Sequence, residues 1–442
     1  MVNKVLKNKT SNSKSKLYDV VVIGGGPAGL MSACIASSNG AKVLILEKNE
    51  SLGKKLLLTG GGRCNLTNKE PDHRKFVSKF GKKGNFLFTP FSIFGVDDTI
   101  RFFEKLGLKT KVEEYNRVFP LSDNSLDVLE TLIRYARNNG VEFMLDVEVA
   151  HLKKNKNKID SVILKNGNEI KGKSFILATG GKSHPETGST GDGFKWLKEI
   201  GHNVIESNPS LVPITIKESW IGELSGITLE NVGISVYQGE NKVINKIGRL
   251  LFTHNGLSGP TILNMSKDIG ELLNYSNKKS ALGETSGNGV KICIDFFPGV
   301  GLDIMHKKVL DSFEENKNKK IKNITFEEIP SQIFLQILKL LDIDENWDIN
   351  EIRREERFAI LEKFKKFELT VGGLLGYDKA IISSGGADLS EVDFKEMRSK
   401  LFDNLFLIGD ILDFDRPSGG YSLQLCWTTG YVAGKSATNI SK

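Results

Sequence analysis

The chain has 442 residues, 39% of them hydrophobic and 26% charged, which is the composition of a globular protein with room for two or three domains. Its net charge of +7 permits an acidic partner such as nucleic acid but does not require one, because lysine-rich codon usage gives the same excess. No stretch has the length of a membrane span, and four cysteines without a CxxC pair argue against disulfides and a zinc site. We therefore expect a cytoplasmic protein with no metal and no membrane association.

The first part of the chain predicts a basic tail followed by a strand, a helix and a second strand. Residues 1–17 contain five lysines and no acid, which predicts a disordered tail. YDVVVIG (18–24) and AKVLILE (41–47) are apolar runs typical of buried parallel strands. Between them GGGPAGL (24–30) satisfies G-x-G-x-x-G and opens a helix. This order, with an acid ending the second strand, is that of a dinucleotide-binding unit.

Each part of this unit has a physical role toward a dinucleotide. Gly24 makes the tight turn, Gly26 lets the backbone approach the pyrophosphate, and Gly29 lets the helix pack on the strand. The pyrophosphate lies at the helix N-terminus, where N–H groups favour negative charge, and Glu47 is placed to accept hydrogen bonds from the adenosine ribose. The cofactor-binding residues predicted in this region are Gly24, Gly26, Pro27, Ala28, Gly29, Glu47, Lys48 and Lys55.

The loop TGGGRCNLTN (59–68) combines backbone freedom with a cation and a thiol. Glycines let a backbone approach a flat or highly charged group. Arg63 and the N–H groups of the loop indicate that this group is anionic. The alternative is a mobile surface loop.

The segment HRKFVSKFGKKGNF (73–86) interleaves cations with phenylalanines. Cations that contact phosphates and rings that stack on splayed bases are how proteins hold single-stranded RNA. The alternative is a solvated helix whose phenylalanines face the core. The predicted RNA-binding residues are Arg74, Lys75, Lys79, Lys82 and Lys83.

The middle of the chain predicts a domain inserted into a Rossmann-like one. Residues 206–300 hold short alternating runs that predict an antiparallel sheet or barrel, and residues 301–371 show helical spacing. LNYSNKKSALGETSGNGV (273–290) is polar and predicts a mobile loop. The predicted fold class is thus α/β, with a discontinuous Rossmann-like domain (18–205 and 372–442) and an inserted β-rich, barrel-like and helical substrate domain.

Two segments indicate that the dinucleotide is FAD. NLFLIGD (404–410), with the helix that follows it, resembles the second FAD signature of the glutathione-reductase-like flavoprotein superfamily. The resemblance implies that Asp410 holds the ribityl hydroxyls and that amides near Gly420 and Tyr421 meet the pyrimidine edge. KSFILATGG (173–181) is a strand ending in ATGG, which passes near the cofactor in that superfamily. No second strand–GxGxxG–helix unit is present in the sequence, so NAD(P)H is expected only as a transient reductant.

Further stretches match a narrower family. They are LGKKLLLTGGGRCNLTN (52–68), RVFP (117–120), TGSTGDGF (187–194), PSLVPI (209–214), LFTHNGLSGP (251–260), TVGG (370–373), MRSK (397–400) and GGYSLQ (419–424). On these stretches the chain resembles the BaiN/RdsA (YhiN-like) family of FAD-dependent flavoproteins, also called the aminoacetone oxidase family. It departs from that family at Asp410, usually Glu, at Ser422, commonly Asn, and at an inserted Arg416-Pro417.

The resemblance implies that the TGGGRCN loop lies beside the FAD. It also extends the set of cofactor residues. Those it adds are Gly61, Gly62, Arg63, Asn65, Ala178, Thr179, Gly180, Gly181, Gly409, Asp410, Gly420, Tyr421 and Ser422.

The resemblance also implies three substrate classes. These are uridine in ribosomal RNA reduced to dihydrouridine, a steroid-like enone reduced, and a small amine oxidised. The two reductions need hydride from flavin N5 and a general acid, for which His254 is the first candidate because its unperturbed pKa suits proton transfer, followed by Cys64 and Tyr421. His254 bonded within a packed loop and Cys64 packed in the core are the alternatives.

The leading hypothesis is an FAD-dependent reductase of a ribosomal-RNA uridine. The alternatives are a flavoenzyme acting on a small-molecule substrate and a non-catalytic RNA-binding flavoprotein. The sequence predicts no oligomeric state.

Overall fold

The chain forms two compact units. The computed structural model describes residues 16–281, 289–376 and 382–440. The first unit combines Met1–Pro209 with Tyr377–Lys442, and the second is Ser210–Gly376.

Twenty strands and twelve α-helices lie within the described residues. The strands are β1 (Leu17–Ile23), β2 (Val43–Leu46), β3 (Thr67–Asn68), β4 (Thr110–Glu113), β5 (Arg117–Pro120), β6 (Glu142–Met144), β7 (Val149–Asn155), β8 (Lys158–Leu164), β9 (Glu169–Leu177), β10 (Val204–Ser210), β11 (Ile214–Ile216), β12 (Thr228–Gln238), β13 (Asn241–Thr253), β14 (Gly256–Ser258), β15 (Val290–Asp295), β16 (Phe367–Leu374), β17 (Ile382–Ala387), β18 (Val392–Asp393), β19 (Arg398–Ser399) and β20 (Leu405–Leu407). The helices are α1 (Pro27–Ser38), α2 (Lys54–Leu58), α3 (His73–Ser78), α4 (Phe88–Ile93), α5 (Val96–Lys105), α6 (Ser125–Asn138), α7 (Asp192–Ile200), α8 (Pro260–Ala281), α9 (Leu302–Glu315), α10 (Ser331–Leu340), α11 (Arg354–Lys365) and α12 (Tyr421–Ile440).

A nine-stranded sheet is the centre of the first unit. Strands β6, β2, β1, β9 and β20 lie side by side in this order and run parallel. Antiparallel pairs with β8 and with β19 extend it. Val20 lies opposite Val43 on one side and Ser174 on the other, and β1 is buried as its apolar run predicts. Because the parallel strands all end at the same edge, the residues that follow them meet there.

Helix α1 packs against this sheet and against α12. Ten of its twelve residues are buried, so it is apolar on all sides rather than amphipathic. A Cβ at Gly430 in α12 would lie 2.6 Å from the carbonyl oxygen of Ala28. Only glycine there lets the last helix of the chain lie against the first.

The second unit is a closed barrel with helices. Its strand order is β11-β14-β13-β12-β15-β16, and β16 closes the barrel by pairing with β11. Buried barrel residues such as Ile234, Ile292 and Phe367 share one core with residues of α9, α10 and α11. The predicted fold class, a Rossmann-like α/β domain with a β-rich and helical insert, is confirmed.

The structure corrects two local predictions. The polar stretch 273–290 is not a loop throughout, because α8 continues to Ala281 and β15 begins at Val290. Asparagine, serine and lysine each cost a helix less than about 0.7 kcal/mol, too little to end one already formed. Leu17, assigned to the tail, begins β1. Residues 1–15 and 282–288 lie outside the described residues.

Two absences hold for the residues that the structure describes. None of their helices is both long enough and apolar enough to cross a membrane. Their histidine, cysteine and carboxylate side chains form no group of three that could hold a metal ion.

A buried histidine joins distant parts of the first unit. His202 Nδ1 lies 2.7 Å from Glu391 Oε2, and its Nε2 lies 2.8 Å from Ser399 Oγ. Ser399 belongs to the MRSK stretch, and its hydroxyl also accepts hydrogen bonds from the N–H groups of Leu401 and Phe402. Burial lowers the pKa of His202, outweighing the opposite effect of Glu391. The hydrogen bonds of His202 therefore connect two distant segments of the first unit, and they require a neutral imidazole.

We expect the free energy of unfolding to fall as the pH drops below about 6.5, the ordinary pKa of histidine. Below that pH His202 is protonated in the unfolded chain, while the folded protein resists its protonation. The contribution of the neutral imidazole to the free energy of unfolding is therefore fully present above about pH 6.5 and decreases below it. His202→Gln cannot titrate and should show a flatter dependence between about pH 7.5 and 5.5 in denaturant titrations. Parallel curves for the two proteins would rule out His202 as the source.

Candidate cofactor site

A cleft opens at the carboxyl edge of the parallel sheet in the first unit. Its empty volume, including the part open to solvent, is about 1250 Å³. Ile23, Leu46, Ala178 and Ile408, at or just after the ends of β1, β2, β9 and β20, line it. Ligands of open parallel sheets bind at this edge.

The N-terminus of α1 borders the cleft. Gly26 precedes the helix, no side chain caps it, and Gly26, Pro27 and Ala28 line the cleft. A Cβ on Gly26 would meet no protein atom within 4 Å, whereas a Cβ on Gly29 would overlap the carbonyl oxygen of Gly24. Gly29 therefore serves packing, and Gly26 leaves space through which an anionic group can reach the N–H groups of the helix.

Glu47, just after β2, is held in one orientation. Its Oε2 accepts a hydrogen bond from the N–H of Gly25 at 2.8 Å, and its Oε1 accepts from Asn49 N at 2.9 Å and Nδ2 at 2.7 Å. The residue is buried and lines the cleft. Its remaining lone pairs can accept hydrogen bonds from ribose hydroxyls.

A cluster of one buried and two partly buried charged residues lies at another part of the cleft. Asp410 Oδ1 is 2.9 Å from Arg416 Nη1, and its Oδ2 is 3.4 Å from Lys55 Nζ. Lys55 also donates to Ser183 Oγ at 2.6 Å. Burial disfavours the Asp410 carboxylate, but the charges of Arg416 and Lys55 prevail and lower its pKa. The cluster places two cations and one anion beside the cleft.

Thr179, in the ATGG segment, lines the cleft and carries a buried hydroxyl. Within the described residues its Oγ1 has no hydrogen-bond partner, although buried hydroxyls are nearly always satisfied. An open helix N-terminus, two carboxylates and this hydroxyl fit FAD. Gly26 and Ala28 would hold its pyrophosphate, Glu47 its adenosine ribose and Asp410 its ribityl chain.

The TGGGRCN loop reaches the cleft at Thr59. Arg63 pairs with Glu113 and Asp123, and its guanidinium lies 4.2 Å from the ring centre of Phe119. Two carboxylates of the protein therefore compensate the charge of Arg63. The sequence had instead predicted that Arg63 contacts a phosphate or the flavin. Arg63 fixes the loop to β4, β5 and the turn before α6.

The residues that follow this loop are bound to the start of α12. Thr67 Oγ1 donates to Gln424 Oε1 at 2.6 Å, and the indole N–H of Trp427 donates to the carbonyl of Leu66 at 2.9 Å. Asn68 Nδ2 donates to the carbonyl of Gly419 at 3.1 Å. With its amide oriented to satisfy its neighbours, Asn65 accepts from the N–H of Gly420. The stretch GRCNLTN thus connects the first half of the unit to the second FAD signature.

The structure brings part of the predicted cofactor set together. The residues that line the cleft are Gly24, Gly26, Pro27, Ala28, Glu47, Lys48, Lys55, Ala178, Thr179, Gly180, Asp410 and Ser422. The residues outside its lining are Gly29, Gly61, Gly62, Arg63, Asn65, Gly181, Gly409, Gly420 and Tyr421.

The cleft also contains residues that the sequence did not predict as cofactor-binding. Lys48 Nζ donates to Thr190 Oγ1 and Asp192 Oδ2, and Asp192 lines the cleft with Thr187 and Ser189. The stretch TGSTGDGF, already a family match, was the available signal. Val147 and Glu148 line the cleft without any motif.

Neither Cys64 nor Tyr421, the two candidate proton donors of the first unit, lines the cleft. Cys64 is buried, and burial raises the pKa of its thiol to about 12, which makes it a weak acid at neutral pH. Tyr421 is buried, and burial raises its pKa. His254 is exposed on the turn between β13 and β14 of the second unit. Its role stays a prediction.

The basic segment 73–86 has two different faces. Phe76 and Phe80 are buried, with ring centres 4.7 and 6.1 Å from that of Tyr421. They face the core, as the alternative reading held, and cannot stack on bases. Lys83 Nζ lies 2.7 Å from Asp413 Oδ2. The cations left exposed are Arg74, Lys75, Lys79 and Lys82.

The chain matches a known family and several characterised proteins. The family model described as the HI0933-like protein Rossmann domain matches residues 18–436. A 3-dehydro-bile acid delta(4,6)-reductase from Clostridium scindens is 30% identical over 418 residues, which cover 94% of this chain and 98% of that protein. A ribosomal RNA dihydrouridine synthase from Escherichia coli is 26% identical over 416 residues, covering 94% and 96%.

Solved structures share the fold. A 3-ketosteroid-delta4-(5alpha)-dehydrogenase from Rhodococcus jostii superposes with a TM-score of 0.53 at 14% identity, covering 97% of this chain and 98% of that one. A flavocytochrome c3 fumarate reductase in an open conformation gives 0.51 at 17% identity, covering 97% and 79%. At these identities the likeness concerns the fold alone.

Proposed function

We propose that this chain, which belongs to the HI0933-like family and is an FAD-dependent oxidoreductase, reduces a carbon–carbon double bond. The proposed substrate is a uridine in ribosomal RNA, and the product is dihydrouridine. When bound, FAD supplies a hydride to an electron-poor double bond, and NAD(P)H is the proposed transient reductant. Lys55, Arg416 and the N-terminus of α12 add positive potential where negative charge develops during such a transfer. We place the reaction in the cytoplasm.

The position of the exposed cations supports RNA as the substrate. Phe76 and Phe80 pack on Tyr421, and the next two residues, Ser422 and Leu423, line the cleft. The cations on the outer face of this segment are therefore fixed close to the cofactor site. They enter no ion pair among the described residues, so their charge is available to phosphates.

A small enone is the second candidate. The bile acid reductase that is 30% identical to this chain is named for a steroid-like substrate of this kind. Reduction of an enone and reduction of a uridine both convert a carbon–carbon double bond to a single bond. An amine oxidase has no such support among the relatives named above.

Nucleoside mass spectrometry of ribosomal RNA, from cells with and without the gene, tests the proposal. We expect dihydrouridine to be lost on deletion and restored by the wild-type gene. The purified holoenzyme with NADPH should also form dihydrouridine in RNA from the deleted cells. RNA that is unchanged in both assays would sink the RNA proposal, and turnover of a conjugated enone would then support the second candidate.

Reversing the exposed charges tests how RNA is held. Lys79→Glu with Lys82→Glu should raise the KM for RNA about tenfold or more, and should reduce the salt dependence of binding, because fewer phosphate contacts release counterions. The matched control is Lys156→Glu with Lys158→Glu, the same change in charge on the exposed β7–β8 hairpin. Lys83 is left intact because of its pair with Asp413. Equal effects of the two double variants would show a general charge effect and no specific surface.

A further inference from the structure

A strained and exposed aromatic residue lies in the turn between β4 and β5. Tyr115 has φ 59° and ψ 29°, and the next residue, Asn116, also has φ 59°. Non-glycine residues rarely adopt this left-handed conformation, and for an aromatic residue it is costly. The side chain of Tyr115 is 70% exposed. Both the strain and the exposed ring cost stability, and such costs concentrate at functional sites.

The turn is fixed beside the second FAD signature. Asn68 Nδ2 donates to the carbonyl of Tyr115 at 3.0 Å and to the carbonyl of Gly419 at 3.1 Å. The N–H of Lys69 donates to the carbonyl of Asn116 at 2.7 Å. One amide nitrogen thus joins the strained turn to the loop that opens α12, whose Ser422 lines the cleft.

The surroundings of the ring indicate what it meets. The guanidinium of Arg117 lies 5.9 Å from the ring centre of Tyr115, and the exposed Lys69 flanks the same turn. Neither cation enters an ion pair among the described residues. No other aromatic ring of the described chain packs on Tyr115. An exposed ring with one cation near its face and a second cation on the same turn suits a flat group carried on a phosphate backbone.

We infer that Tyr115 is a substrate-binding residue that stacks on an unpaired nucleobase at the entrance to the flavin site, with Lys69 and Arg117 contacting the adjoining phosphates. The inference rests on the proposed function and adds the residue that holds the base outside its helix. A base must leave its stack to reach a cofactor, and a fixed aromatic surface compensates the lost stacking.

Binding of a uridine-containing single-stranded RNA oligonucleotide to the holoenzyme, followed by fluorescence anisotropy, tests this. Tyr115→Ala should raise the Kd about tenfold, and Tyr115→Phe should leave it within about twofold, because stacking needs the ring and not the hydroxyl. FAD content should stay unchanged in both. Tyr115→Gly should bind as weakly as Tyr115→Ala yet unfold at a higher temperature than it, because glycine tolerates φ 59°. A purely structural role would instead couple the loss of binding to a loss of stability.

Leu121→Ala is the matched control, since Leu121 is an apolar residue, 56% exposed, just after β5. Wild-type binding by Tyr115→Ala would overturn the inference, even if dihydrouridine formation upheld the proposed function. Equal losses in Tyr115→Ala and Leu121→Ala would overturn it as well, because apolar area and not stacking would be responsible. A wild-type holoenzyme that neither binds the oligonucleotide nor forms dihydrouridine would sink the proposed function, and the inference with it.

Discussion

Replacing Gly26 by tryptophan is expected to remove FAD from the protein while leaving the first unit folded. A Cβ at this position meets no protein atom within 4 Å, and φ at Gly26 is −79°, which any residue adopts. The indole would instead occupy the space through which a pyrophosphate reaches the start of α1. We expect at least about a hundredfold loss in affinity for FAD, which corresponds to about 2.8 kcal/mol.

Flavin absorbance per purified chain measures the loss, and circular dichroism of the flavin-free protein measures the fold. Gly29→Ala is the informative contrast, because its methyl group would overlap the carbonyl oxygen of Gly24 and should destabilise the protein itself. A Gly26→Trp protein that purifies with one FAD per chain would place the pyrophosphate elsewhere.

Replacing Arg416 by methionine should lower the free energy of unfolding by about 3 kcal/mol at neutral pH, the lower end of the cost of breaking a buried ion pair. Arg416 is buried with its guanidinium 2.9 Å from the Asp410 carboxylate. Lys55, at 3.4 Å, remains as a partner and limits the effect. Denaturant titration of the apoprotein measures the change without the contribution of FAD.

The loss should shrink as the pH falls from about 7 to about 4, the ordinary pKa of an aspartate carboxyl. In the wild type the cations hold the pKa of Asp410 below its ordinary value. The ion pairs of Asp410 therefore stabilise the fold fully above the ordinary pKa of aspartate, and this stabilisation is lost as the pH falls through the lowered pKa. In Arg416→Met burial acts with one cation fewer, which raises the pKa of Asp410 and lets protonation relieve the buried charge. Asp410→Asn in the same background should recover part of the stability. A loss that is equal at both pH values would refute this electrostatic account.

Local patterns predicted the parts of the site that one stretch of chain builds by itself. Gly26, Gly29 and Glu47 follow from a buried strand, a tight turn and a helix start, all within thirty residues. The contacts of Asn65 with Gly420 and of Thr67 with Gln424 join residues about 355 apart, and no local periodicity encodes them. The family resemblance placed that loop near the cofactor without indicating that it binds α12.

Two misjudged residue types show where composition misleads. Phe76 and Phe80 suggested base stacking because cations surround them, yet their spacing of four residues places both on one buried face. Arg63 suggested an anionic ligand, whereas its partners Glu113 and Asp123 come from segments 50 and 60 residues later. Only the residues that surround a charged side chain in the folded protein decide whether it pairs within the protein or binds a ligand.

The division of the sheet has a consequence for how the protein is made. Strand β20 and helix α12, which complete the sheet and cover α1, follow the whole barrel in the chain and leave the ribosome after it. All six barrel strands lie between residues 214 and 374 and emerge earlier. Since domains fold as units during synthesis, we expect the barrel to fold while the chain is still being translated. The cofactor can load only later, after Asp410 and Ser422, which line the cleft, have also left the ribosome.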